Sequence, residues 1–214
     1  MVESLLHTAP HVTSVFEVDL GRVVAHRNLN KAEFAARGVN LTYTAYFVAA
    51  SVAAIRDVPT VNSRFREDAL EIWDDINIGV GTALEDKGLI VPVIHKAQDL
   101  NLFGIAARLQ ELTRKAREGK LEARDVQNGT FTISNHGVSG SLIATPIIIN
   151  QPQSAILGIG KLEKRLTIVE VDGQDSIQIR PKCYVSLTID HRVLDGYQTN
   201  RFLAHLVETL THWE

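Results

Sequence analysis

The chain has 214 residues, 45% of them hydrophobic, with a formal net charge of −3 at pH 7, and nothing in its composition divides residues 1–214 into more than one domain. The basic residues are scattered, and no apolar run approaches the roughly 18 residues of a membrane-spanning helix, which argues against nucleic-acid and membrane partners. A single cysteine, Cys183, allows no internal disulfide, and Met1-Val2-Glu3-Ser4-Leu5 shows no secretory pattern; a reducing compartment is expected, the cytoplasm or, in a eukaryote, the mitochondrial matrix.

In chain order, His11 to Leu20 alternates as a strand, and Gly21 to Ala36 carries helical spacing that Arg37-Gly38-Val39-Asn40 breaks. Thr42 is placed to cap a second helix, Tyr43 to Ile55, apolar on most sides, and Pro59 follows it. Leu70 to Trp73, Ile76 to Ala83 and Leu89 to His95 read as short β-rich runs, the last two joined as a hairpin through Glu85-Asp86-Lys87-Gly88. Leu102 to Glu118 is the clearest helix, with Asn101 as its cap and Gly119 as its stop. Strands follow at Thr130 to Ser134, Ile147 to Ile149, Ala155 to Ile159, Arg165 to Glu170 and Gln178 to Ile189, with Asp172-Gly173 as a hairpin turn and a helix after Gly196. Strand and helix runs alternate without a βαβ rhythm, so the expected class is α/β of the α+β type, a large mixed sheet carrying helices on one side.

The chemistry-bearing stretch is Asp190-His191-Arg192-Val193-Leu194-Asp195-Gly196, which sets a histidine and an aspartate four apart between a strand and a helix. A histidine in such a turn is most often a satisfied structural residue, and an aspartate before a helix is most often its cap. Both roles are compatible with a general base, which needs a fixed ring with one free nitrogen, and burial would keep that ring neutral. Ser134 at the end of its strand is the second candidate; no Gly-x-Ser-x-Gly elbow surrounds it, but its hydroxyl suits donation to a developing oxyanion. The glycine pairs at Gly79-x-Gly81 and Gly158-x-Gly160 lack a dinucleotide fingerprint, and the histidines show no metal-ligand spacing, so no metal is expected. Cys183, eight residues before His191, is either a buried structural cysteine or a thiol nucleophile.

Taken together, Pro10-His11-Val12-Thr13, Asn62-Ser63, Lys87-Gly88-Leu89-Ile90-Val91-Pro92-Val93, Gly129-Thr130-Phe131-Thr132-Ile133-Ser134-Asn135, Thr145-Pro146-Ile147-Ile148, Ala155-Ile156-Leu157-Gly158 and the Asp190–Gly196 stretch resemble, in that order, one family. It is the catalytic domain of the dihydrolipoamide acyltransferases of 2-oxo acid dehydrogenase complexes, similar in fold to chloramphenicol acetyltransferase. The resemblance implies that His191 is the general base, Ser134 the oxyanion donor and Asp195 the residue that holds the histidine's loop. It further implies contacts to coenzyme A, a substrate, from Asn135, Gly137, Asn62 and Ser63. The acyl group would pass between the thiols of coenzyme A and dihydrolipoamide. Implied partners are further copies of the chain, as trimers with the active site between subunits building a 24-mer or 60-mer core. A lipoyl domain, absent from these residues along with the peripheral subunit-binding domain, and the decarboxylase and dihydrolipoamide dehydrogenase components complete the set. Gly140-Ser141-Leu142 and Gln151 to Gly158 look most like succinyltransferases, whereas Pro10 to Thr13 is nearer to acetyl or branched-chain members, so succinyl is narrowly favoured. His136 departs from the small or apolar residue that the resemblance implies there, and reads as an exposed loop residue, the alternative being a contact to a carboxylate on the acyl group. Two other readings stay open: a catalytically silent scaffold or coenzyme A-binding module, and a thiol hydrolase using Cys183.

Overall fold

The computed structural model describes residues 9–84 and 88–214, and one long strand, β11 (Gln174–Asp190), runs through its largest sheet. The first half of β11 pairs with β10 (Glu163–Val171) as an antiparallel ribbon. Asp172 and Gly173, both at positive φ, close that ribbon as the expected hairpin turn. The second half lies between β1 (His11–Asp19) and β9 (Ala155–Ile159), antiparallel to both. Beyond β9 come β8 (Phe131–Asn135) and β4 (Ile78–Val80), parallel to one another, and then β7 (Val93–Ile94), antiparallel to β4. The resulting order, β1-β11-β9-β8-β4-β7 with β10 attached to β11, is the expected mixed sheet.

Two expected runs are each divided. Gly81 separates β4 from β5 (Thr82–Ala83), and Pro92, which has no N–H to donate, separates β6 (Leu89–Ile90) from β7. β5 and β6 form their own antiparallel two-stranded sheet; residues 85–87 of the expected turn Glu85-Asp86-Lys87-Gly88 lie outside the described residues. β2 (Ser63–Phe65) and β3 (Leu70–Ile72) form a second small ribbon.

Four helices complete the fold: α1 (Gly21–Ala36), α2 (Tyr43–Asp57), α3 (Leu102–Arg117) and α4 (Gly196–Thr211). Asn101 caps α3 as expected, its Oδ1 accepting from Gly104 N at 2.9 Å, and Gly119 stops it at φ +65°. Thr42 does occupy the position before α2, but its hydroxyl makes no cap bond and is buried without a partner among the described residues. No helix among those residues is long and apolar enough to cross a membrane.

The period-two alternation of a strand decides what lies on each face of the sheet. Val185, Leu187 and Ile189 of β11, Leu157 of β9, and Phe131 and Ile133 of β8 share one core with Phe202 and Leu206 of α4, the rings of Phe131 and Phe202 standing 5.6 Å apart. The intervening residues, Ser186, Thr188, Gly158, Thr132 and Ser134, point to the opposite face, which is therefore polar. It is covered by the chain between β8 and β9. Ile147–Ile149, expected as a strand, belongs to this irregular cover. Its N–H groups go to side chains: Ile149 N donates to His11 Nε2 at 3.1 Å and Ile147 N to Thr188 Oγ1 at 3.4 Å, leaving no ladder to join.

The return from α3 to β8 is pinned by Asp125, 1% exposed, whose carboxylate accepts from Glu122 N and faces Lys115 and Arg108 of α3 at 3.3 Å each. The Glu122 N–H, reinforced by Lys115 and Arg108, holds the Asp125 carboxyl below its usual range against the opposing effect of burial. A depressed folded value means stability present above the carboxyl's unfolded pKa and lost as pH falls through the folded one. Asp125→Asn is expected to lower stability by about 2 kcal/mol at pH 7. In thermal melts run from pH 7 downwards, the difference from the parent chain should shrink below about pH 4.

Candidate active site

His191 sits in the turn between β11 and α4, and the strand end fixes it from both sides. Asp190 N donates to Ser154 O at 2.8 Å and His191 N to Pro10 O at 2.9 Å, while Val193 N and Leu194 N close the turn on Asp190 O. The Asp190 side chain, 2% exposed, accepts from Arg192 N at 3.0 Å and from the Arg192 guanidinium, Nη2 to Oδ2 being 2.6 Å. Those bonds raise the Arg192 pKa above its usual value, and the guanidinium also stacks 4.2 Å over the Phe65 ring. Asp190 was not among the candidate residues. Its signal is an acid ending a strand that alternates apolar and small polar residues, with an arginine two positions on.

Asp195 takes the structural part of its two readings. It is the N-cap of α4, its Oδ1 accepting from Gln198 N at 2.9 Å while Gln198 Oε1 accepts from Asp195 N at 3.1 Å. The cap and the buried Leu194 fix the far side of the turn that presents His191. His191 itself is exposed in the single chain.

Ser134 is the last residue but one of β8, on the polar face, opposite Gly158 of β9, which in turn lies opposite Ser186 of β11. His191 lies five residues beyond Ser186, at the other end of the sheet. At about 3.4 Å per residue that is roughly 17 Å along the strands, plus two strand spacings across, beyond the reach of both side chains. One chain therefore does not bring Ser134 and His191 together. It brings Ser134 to His136, whose Nε2 lies 3.0 Å from the Ser134 hydroxyl; His136 is half-buried rather than exposed.

The other candidates are accounted for as follows. Asn135, half-buried, donates from Nδ2 to Thr44 Oγ1 of α2 at 3.2 Å. Gly137 packs so closely on the chain after β9 that a Cβ there would stand 2.6 Å from Gly160 C and 2.9 Å from Lys161 Cα, which explains a glycine at this position. Asn62 and Ser63 are fully buried. Asn62 Nδ2 donates to Trp73 O and Asp75 O, its Oδ1 having no partner among the described residues, and Ser63 Oγ bonds Thr60 O and Ser154 Oγ. Both hold the loop after α2 in this chain. A cleft of about 820 Å³ opens nearby, at the His191 end of the sheet, lined by Arg64, Trp73, Asp75, Asn128 and Gln153 but by neither Ser134 nor His191. Cys183 is 1% exposed, and burial pushes its thiol up to about 12, so at neutral pH it offers no thiolate and the thiol-hydrolase reading is lost.

The mixed sheet flanked by helices is a fold shared with chloramphenicol acetyltransferase. A solved chloramphenicol acetyltransferase superposes with a TM-score of 0.61 over 97% of this chain and 92% of that one, at 19% identity, a likeness of fold alone. The sequence model of the 2-oxoacid dehydrogenases acyltransferase family, catalytic domain, matches residues 1–214, and the chain belongs to that family. It is 41% identical over 212 residues to the dihydrolipoyllysine-residue acetyltransferase component of the pyruvate dehydrogenase complex of Mycobacterium bovis, covering 97% of this chain and 38% of that protein. It is also 41% identical over 207 residues to the succinyltransferase component of the 2-oxoglutarate dehydrogenase complex of Rickettsia bellii, covering 95% and 50%. The chain thus spans half the length of these curated relatives or less. Two solved structures superpose with a TM-score of 0.90 over 98% of this chain and 85% of theirs. One, 33% identical, is a dihydrolipoamide acetyltransferase of Azotobacter vinelandii, investigated for the role of a serine, a histidine and an asparagine in its catalytic mechanism. The other, 34% identical, is the cubic core of the pyruvate dehydrogenase multienzyme complex.

Two measurements check the site's framework. Asp190→Asn, which leaves Arg192 without its counter-charge, is expected to cost about 3 kcal/mol in urea unfolding. Cys183 should resist iodoacetamide at pH 8 in the folded protein and react once the chain is unfolded in urea.

Proposed function

We propose that the chain transfers an acyl group between the thiols of coenzyme A and dihydrolipoamide, in a site assembled from two copies. His191 of one copy takes the proton from the attacking thiol, which, with an ordinary pKa of about 8.5, needs only a modest base. The thiolate adds to the thioester carbonyl, and Ser134 of the second copy donates a hydrogen bond to the oxygen that becomes negative. Collapse expels the other thiolate, which recovers the proton from His191. Proton, acyl group and electron pairs balance without a covalent acyl-enzyme.

The observation that carries this reading is the placement of Ser134 and His191 at opposite ends of one sheet, with His191 exposed. A second copy supplies what one chain does not, a serine beside the histidine and cover that excludes water. The Azotobacter vinelandii enzyme's histidine and asparagine are four positions apart, as are His191 and Asp195 here. The β10–β11 ribbon displays Leu166, Ile168, Ile177 and Ile179, each at least 66% exposed and paired across the strands, an apolar ladder suited to self-association. We assign the chain to a trimer-based multienzyme core, reached by a separate lipoyl domain and served by decarboxylase and dihydrolipoamide dehydrogenase components. Asn135 and Gly137, beside Ser134, are assigned to the coenzyme A side. Succinyl is the proposed acyl group, on the likeness of residues 140–158 to succinyltransferases.

Transfer from acetyl-, succinyl- and isobutyryl-coenzyme A to free dihydrolipoamide tests the reaction and its donor together. Silence with all three would make the chain a scaffold; a preference for acetyl or isobutyryl would overturn the succinyl assignment. With the active donor, His191→Ala should lower kcat by about 10²-fold or more, and Ser134→Ala by about 10²–10³-fold. Co-expression of the two inactive variants in one assembly should restore activity, because some interfaces then join an intact His191 to an intact Ser134. No restoration in mixed assemblies would place both residues in one copy's site and sink the two-copy arrangement.

A further inference from the structure

The Ser134 hydroxyl has a neighbour for which the transfer reaction, as described, has no use. His136 follows two positions on, just past the end of β8, where the backbone has turned helical (φ −84°, ψ −18°), with Nε2 3.0 Å from Ser134 Oγ. Its backbone is held on every side: His136 N donates to Ile159 O at 3.0 Å, while Ser139 Oγ and Ser141 N donate to His136 O. The close packing of Gly137 on Gly160 fixes the chain immediately after it. The backbone that carries the ring is therefore set by the fold, and the ring's hydrogen-bond partner is Ser134.

A serine hydroxyl has one proton to give, and its direction is free until a neighbour decides it. If Nε2 accepts, the Ser134 proton points at the imidazole and the oxygen shows only lone pairs to an oxyanion, which repels it. If Nε2 carries the hydrogen, it donates to Oγ and leaves the Ser134 proton free to point outward, polarised by the bond behind it. We propose that His136 is a positioning residue that donates from Nε2 to Ser134 Oγ and so aims the Ser134 hydroxyl at the thioester oxygen. The two side chains form a two-link donor chain in which no proton is transferred. The proposal rests on Ser134 acting as the oxyanion donor.

The test is a set of steady-state assays of acyl transfer to dihydrolipoamide, using His136→Leu and His136→Gln in the parent chain and His136→Leu in a Ser134→Ala background. In the parent, His136→Leu should lower kcat about tenfold with KM for the coenzyme A ester unchanged, the scale of one hydrogen bond. His136→Gln, whose amide can donate from a similar position, should recover most of that loss. In the Ser134→Ala background His136→Leu should cost nothing more. Equal losses in both backgrounds, a change in KM alone, or no recovery by glutamine would overturn the proposal. Failure of Ser134→Ala to slow the reaction would remove the underlying role of Ser134 itself. Slowing by Ser134→Ala with no effect of His136→Leu would remove only His136. Release of coenzyme A without an acceptor, dependent on both residues, would make the pair a nucleophile and base and overturn the donor chain.

Discussion

Burial of the second half of β11 on both faces is the constraint from which the remaining geometry follows. From Val185 to Asp190 every residue is buried, so the strand needs cover above and below. On the apolar face the helices provide it. On the other face Ser186, Thr188 and Asp190 are buried polar groups, costly unless each finds a hydrogen bond. Ser186 Oγ donates to Ala144 O, Thr188 Oγ1 meets Thr13 Oγ1 at 2.8 Å, and Asp190 holds Arg192. The irregular segment between β8 and β9 is thus bound to the sheet through side chains. Its close approach is possible because Gly158 is a glycine: a Cβ there would meet Ser186 Oγ, Ile147 Cδ1 at 2.7 Å and Ala144 O at 2.8 Å.

The same polar face carries Ser134 at one end and leads to His191 at the other, so the two candidate residues are placed by strand register. β8 runs parallel to β9 and antiparallel to β11, which sends the C-terminal end of β8 and that of β11 in opposite directions. No loop rearrangement within one chain reverses this, because β9 lies between the two strands and pairs with both. A slip of one residue in β8 would turn Ser134 into the helix-packed core and Ile133 out of it, and Phe131 beside Phe202 stands against such a slip.

Much of this was legible in the residues. The helices declared themselves by spacing and by Asn101 and Gly119, and the central strands by their alternation. The Asp190–Gly196 stretch announced a fixed turn, and it is one. What sequence could not convey depends on side chains meeting across the fold. The apolar run Ile147–Ile149 has the composition of a strand, but the amides of Ile149 and Ile147 go to His11 and Thr188, partners 138 and 41 residues away. Asn62 and Ser63 look like polar ligands in a motif and are buried supports. His136 looked like a loop residue because nothing in its neighbours reveals that Gly137 and Ile159 draw the loop back against β9.

The division of labour also bears on why Asp195 is an aspartate that caps rather than one that pairs with His191. On the proposed reading, a general base presented to a second copy must be aimed before that copy arrives, and a flexible acid beside the ring would not aim it. The turn is aimed by three independent anchors: the Pro10 carbonyl on the His191 amide, the Asp190–Arg192 pair beneath it, and the Asp195–Gln198 reciprocal cap beyond it. Each acts on backbone and leaves the imidazole outward. On the proposed reading, the single chain holds its base rigid but wet, and assembly supplies both the oxyanion donor and the exclusion of water that strengthens its hydrogen bond. Activity then follows association because each is incomplete at the same surface.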